Sequence, residues 1–157
     1  MLAAQSVAWF QTQGLPTPGA VGLFGGAGVV GKWGDSNYFV PLLEGKSAPW
    51  IEDFDTAQVL KYFATANLKD PLVSPAHSMA VLGKFPPSLL ISGTRDALLS
   101  SVIYTHAQLI KARVDARLHV WEGPVHCGFA QPIGDRDFPE NREAWQVIVD
   151  FFDQHLE

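Results

Sequence analysis

A single cysteine, Cys127, occurs among the 157 residues, so the chain can close no internal disulfide and assemble no thiolate metal cluster. No run of about 18 apolar residues exists, which excludes a membrane-spanning helix. No His-Glu-x-x-His or comparable ligand spacing is present, and no metal site is expected. Charge is scarce, at 17% of residues with a net −5, and no basic face is evident; a nucleic-acid partner is not expected. Met1 to Phe10 is apolar but lacks a basic leader and a cleavage-like site, so it reads as helix and not as a secretion signal. The cysteine usage suits a reducing compartment, so the cytoplasm is favoured without being fixed. What the chain does have is a hydrophobic content of 47%, that of a soluble globular protein, in a length that suits one domain and hardly two.

Periodicity then divides the chain. Residues 2–13 place Ala3, Val7 and Phe10 at helical spacing, with Gly14 as a stop, yet no capping residue precedes Leu2. Ala20 to Phe24 reads as a buried strand, and 25–49, rich in glycine and proline, as mostly loop. A helix is expected over 52–66, and the prolines of Asp70-Pro71-Leu72-Val73-Ser74-Pro75 predict an extended connector. From residue 86 the pattern is regular: strand 88–92, helix 98–113, strand 116–121, helix 139–156. Alternation with short links predicts right-handed βαβ units and a parallel sheet, hence an α/β fold. There is no internal repeat and no linker.

In open parallel sheets, functional groups sit on loops just beyond the carboxyl ends of strands. Asp96 lies four positions after Ser92 and His126 five after Trp121, with one helix and one strand between them. Neighbouring parallel strands are about 4.8 Å apart, so the two loops can bring carboxylate and imidazole together. Asp96 would fix the tautomer of His126, which would serve as general base and then general acid toward a hydroxyl. Each residue also has a plain structural reading: Asp96 as a helix N-cap, His126 as an ordinary loop histidine. Spacing alone does not choose.

Motifs take the reading further. Leu72 to Ser100 resembles the hormone-sensitive-lipase-like branch of the α/β-hydrolases, in which a D-P-x-x-S-P connector precedes L-x-x-x-P-P-x-L-x-x-x-G-x-x-D-x-L. Asp70-Pro71, Ser74-Pro75, Pro86-Pro87, Gly93, Asp96 and Leu98 occur in that order. The second signature of the family, a histidine followed by Gly-Phe, is matched by His126-Cys127-Gly128-Phe129. Leu2-Ala3-Ala4 leading to Gly14-Leu15-Pro16 resembles the helix after the family's G-D-S-A-G-G nucleophile elbow.

The resemblance implies a partial α/β-hydrolase fold: the C-terminal three parallel strands with flanking helices, in a single incomplete domain over 1–157. It implies a serine carboxylesterase acting on short-chain acyl esters, with Asp96 as triad acid, His126 as base and no metal or other cofactor. By the same alignment the nucleophile and the H-G-G-G oxyanion motif would lie upstream of Met1. Phe129 and the 36–50 loop are expected to line the acyl or alcohol pocket.

No G-x-S-x-G occurs in the chain. Gly34-Asp35-Ser36-Asn37-Tyr38 imitates it, but Ser36 is expected to lack both the strand before and the helix after that an elbow needs. Ser6 lies beyond the turn that would aim a nucleophile. His119 is expected to be structural, and His106 and His155 to face solvent from helices. His77 is a loop residue and is not expected to act as a ligand. The rival reading is a non-catalytic binding or structural module of the same fold. In either case, the apolar 20–24 strand at a sheet edge invites a partner chain or self-association.

Overall fold

The computed structural model describes residues 1–32, 34–46, 63, 65–130 and 139–156. Three parallel strands, β1 (Val21–Phe24), β2 (Ser88–Arg95) and β3 (Ala116–Val125), form one sheet in the order β1-β2-β3. Helices α1 (Leu2–Thr12) and α4 (Leu99–Lys111) cover one face, and α5 (Pro139–His155) covers the other. The α/β architecture of three parallel strands with flanking helices is thus present.

β2 explains why a sheet this small holds together. Leu89, Leu90 and Ile91 are fully buried, the continuous apolar run of a parallel strand covered on both faces. Their side chains alternate. Leu90 packs with Val7, Leu23, Val102 and Leu109 on the α1/α4 side. Leu89 and Ile91 pack with Phe129, Ile148 and Phe151 on the α5 side. The helical spacings in α4 and α5 therefore feed opposite layers of one core.

Both later strands run further than their apolar patterns suggest, to Arg95 and Val125. Their extensions are polar or turn-forming in composition, so periodicity could not reveal them, but backbone pairing continues. Between the pairs Gly93↔Trp121 and Arg95↔Val125 the register shifts, with β3 taking the longer path. Such a bulge bends its strand and re-aims the residues beyond it. Gly123 N donates to Thr94 Oγ1 at 2.8 Å and pins it.

Two expectations need correction. Within 25–49, read as mostly loop, lies α2 (Ser36–Leu43). Glycine and proline around it suggested loop, yet Gly34 and Gly45 only bracket the helix, and Pro41 is accommodated within it. The 70–75 connector is turned, not extended. Asp70 Oδ1 accepts from Leu72 N at 2.8 Å and its carbonyl from Ser74 N at 2.7 Å, so local aspartate bonding outweighs the extended bias of proline. A 3-10 turn (Pro75–His77) and the short α3 (Met79–Leu82), capped by Ser78, come next. The helix expected over 52–66 lies outside the described residues but for Phe63, Thr65 and Ala66, which lie in turns and bends.

Leu90→Ala should cost about 2–5 kcal/mol by urea denaturation, whereas Leu43→Ala, at a side chain 78% exposed, should change stability by less than about 0.5 kcal/mol. Equal losses would contradict this core assignment.

Candidate active site

The carboxyl ends of β2 and β3 meet where the register shifts. Just past β2, the chain turns through Asp96 N donating to Gly93 O at 3.0 Å, and α4 starts at Leu99. Asp96 is completely buried. A buried carboxylate needs donors, and this one has three. Ser92 Oγ donates to Oδ2 at 2.9 Å, Leu98 N to Oδ1 at 2.8 Å, and His126 Nδ1 stands 3.0 Å from the same Oδ1. The plain reading of Asp96 as a helix N-cap is not met: the residue preceding α4 is Leu98, and its N–H closes a local turn on Asp96 two residues before it. That turn coexists with the imidazole contact on the same oxygen.

His126 directly follows β3, and its side chain is 39% exposed, opposite a partner with no exposure at all. An imidazole donating through Nδ1 to a buried carboxylate has its ring plane and tautomer fixed, which makes Nε2 the basic nitrogen. The turn after it is tight. Cys127 adopts φ 55°, rare for a residue with a side chain, and leads into the 3-10 turn Gly128–Ala130. Gly25, at the end of β1, has φ 57°, and a Cβ there would overlap Cys127 Sγ and lie 3.3 Å from His126 Cε1. All three strand ends therefore converge on His126.

A cavity of about 230 Å³ opens beside His126, lined by Val40, Pro41, Glu44 and Lys46 from α2 and the turn after it, and by Arg95, Ala97 and Val125. Glu44 and Lys46 pair with each other at 2.7 Å. A larger cavity, about 340 Å³, lies beyond Arg95 between Glu122, Pro124 and Glu140, but neither Asp96 nor His126 reaches it. Size is the wrong guide here, because only the smaller space adjoins an acid–base pair.

The structure brings Asp96 and His126 together and leaves Phe129 out of their cavity. Phe129 is 7% exposed and packs edge-on against Phe24 and Trp145, in the α5-side core below the histidine loop. Part of the 36–50 stretch does line the cavity, through residues of α2 that composition had hidden. Ser92 was also missed; its position four residues before Asp96, at the end of an apolar strand, was the available signal.

The remaining candidates fall elsewhere. Ser36 opens α2, so the expectation that no helix comes after it is overturned, but among the described residues no strand leads directly into it. Its Oγ donates to Ala97 O at 2.8 Å and accepts from Ser100 N at 3.0 Å. Ser6 faces a separate groove with Trp9 and Leu72. His119 stacks on Trp121. His106 and His155 do not simply face solvent: His106 Nε2 lies 3.2 Å from Ala116 O, and His155 packs on Phe151 near Asp115. His77 is exposed, 3.5 Å from Tyr104 Oη. No cluster of three metal-ligating side chains occurs among the described residues, and no helix among them is long and apolar enough to cross a membrane.

A family model described as the α/β-hydrolase fold matches residues 1–130. Among solved structures, an esterase designated E25 is 34% identical, with a TM-score of 0.79 over 98% of this chain and 45% of its own. An esterase/lipase from an uncultured bacterium (22% identical, TM-score 0.80, 98% of this chain and 49% of its own) shares the fold. So does an esterase from the bacterial hormone-sensitive lipase family (23%, 0.79, 98% and 49%). The chain thus spans about half the length of these solved relatives. Comparison with curated proteins gave no match. With a family match over most of its length, and a parallel sheet whose strand ends carry a paired aspartate and histidine, the chain belongs to the α/β-hydrolase fold family.

Proposed function

We propose that this chain supplies the acid and the base of a carboxylic ester hydrolase acting on short-chain acyl esters. The observation that carries the proposal is the 3.0 Å contact between fully buried Asp96 and His126 at adjacent strand ends. Its occurrence in a chain 34% identical to an esterase adds support. In the reaction, a serine hydroxyl attacks the ester carbonyl while His126 Nε2 removes its proton. The tetrahedral intermediate collapses as the imidazolium returns that proton to the departing alcohol. Water then repeats the sequence on the acyl-enzyme. Throughout, Asp96 holds Nδ1–H and stabilises the imidazolium without itself taking the proton. The cavity beside His126, with apolar Val40, Pro41 and Val125, has the size and character for a small acyl or alcohol group.

In this reading the serine is supplied from outside the chain. Ser36 Oγ is committed to backbone partners. Cys127 adjoins the base, but burial, and after it the negative charge of Asp96, push its thiol above the usual cysteine range. A neutral thiol is a poor nucleophile. A nucleophile-bearing segment could pair along β1, which among the described residues bonds only to β2.

The 157-residue chain alone should hydrolyse p-nitrophenyl butyrate no faster than buffer; a robust rate abolished by His126→Ala would place the nucleophile within it. Joined to the remainder of esterase E25, the chain should support hydrolysis. His126→Ala should then lower kcat by about 10⁶ and Asp96→Asn by about 10⁴; a folded chimera indifferent to both changes would refute the proposal. Separately, Cys127 should be alkylated by iodoacetamide at pH 8 more slowly in the folded chain than in denaturant, as mass spectrometry would read. Faster alkylation in the folded chain would reopen it as a nucleophile.

A further inference from the structure

We propose that Ser36 is a positioning residue, joined with Ser100 in a reciprocal clamp that holds the Asp96 loop, and through it His126, against α2. This rests on the acid–base reading above and names the contact that keeps the pair and its cavity wall in register.

Helix starts carry N–H groups without intrahelical partners. The N-cap residues of α2 and α4, Asp35 and Leu98, make no side-chain capping bond, and local carbonyls take most of the first-turn N–H groups, as in Tyr38 N to Asp35 O at 2.9 Å and Leu99 N to Asp96 O at 3.0 Å, but not those of Ser36 and Ser100. In each helix that remaining N–H is taken by a serine of the other. Ser36 N donates to Ser100 Oγ at 3.0 Å, and Ser100 N donates to Ser36 Oγ at 3.0 Å. The Ser36 hydroxyl proton goes to Ala97 O at 2.8 Å, so one side chain bridges both ends of the link between Asp96 and α4. Within that link, Leu98 N donates to the same Asp96 Oδ1 that faces His126. The two segments approach so closely that a Cβ on Gly34, which also has φ 66°, would sit 2.5 Å from Ser100 Cβ.

An exchange of serine bonds between two helices could be mere tertiary packing. Its location argues for more. One end holds the residue after Asp96. The other end starts the helix whose Val40 and Pro41 line the cavity beside His126. Loosening the clamp frees the acid loop and displaces the wall from the base together.

The test uses the 157-residue chain and the downfield proton resonance of His126 Nδ1–H, whose solvent exchange reports the hold of Asp96 on the ring. The resonance should be present in the parent and lost in Asp96→Ala. Ser36→Ala deletes two bonds and should speed its exchange about tenfold, while Ser36→Thr, which keeps the hydroxyl, should restore it. An unchanged exchange rate in a folded Ser36→Ala chain would overturn the clamp and leave the acid–base reading intact. Acceleration that Ser36→Thr fails to reverse would assign the effect to packing and also overturn it. Absence of any Asp96-dependent resonance in the parent would instead sink the underlying reading. Should Ser36→Ala not fold, Ser100→Ala removes only the acceptor for Ser36 N. About threefold faster exchange is then expected, and no change overturns the proposal.

Discussion

A carboxylate with no solvent exposure must be surrounded by donors, and everything distinctive about this chain stems from how Asp96 obtains them. One comes from the strand before it, through Ser92. One comes from the loop that leads into α4, through Leu98 N. The last comes from the next strand, through His126 Nδ1. The buried charge thereby ties strand, loop, helix and neighbouring loop into one unit, and through the imidazole that unit reaches solvent.

The sheet makes this unit possible. β2 is central and buried on both faces, so its carboxyl end is a fixed platform. The register shift between β2 and β3 then decides where the histidine beyond β3 stands. Gly25 lets the end of β1 approach the same spot, where any larger residue would collide with Cys127. Phe129 braces the histidine loop from beneath, within the layer shared with α5. Hydrophobic burial builds the platform, while hydrogen bonds choose the geometry on it.

Much of this was legible in the sequence because it is periodic or local. The apolar runs at 20–24 and 88–92, and the helical stripes over 98–113 and 139–156, marked elements found at those places to within a residue or two at the helix ends and the first strand. The rule that chemistry gathers at strand ends singled out Asp96 and His126. What stayed hidden depends on partners distant in sequence. The strand extensions to Arg95 and Val125 lack an apolar run and are held by pairing. α2 lies among glycines and prolines and takes its cap from Ser100, 64 residues away. Phe129 carried a family signature, but a signature does not say which way a ring points, and here it points into the core. The turned connector at 70–75 shows local aspartate bonding overruling proline, a competition that composition cannot resolve.

The central claim is that Asp96 dictates the protonation geometry of His126. Nitrogen-15 NMR of histidine-labelled chain, recorded with the imidazole neutral, measures this directly. The proton should reside on Nδ1 in the parent, with that preference lost in Asp96→Ala. A proton on Nε2 in the parent, or an Nδ1 preference indifferent to removal of the carboxylate, would contradict the claim.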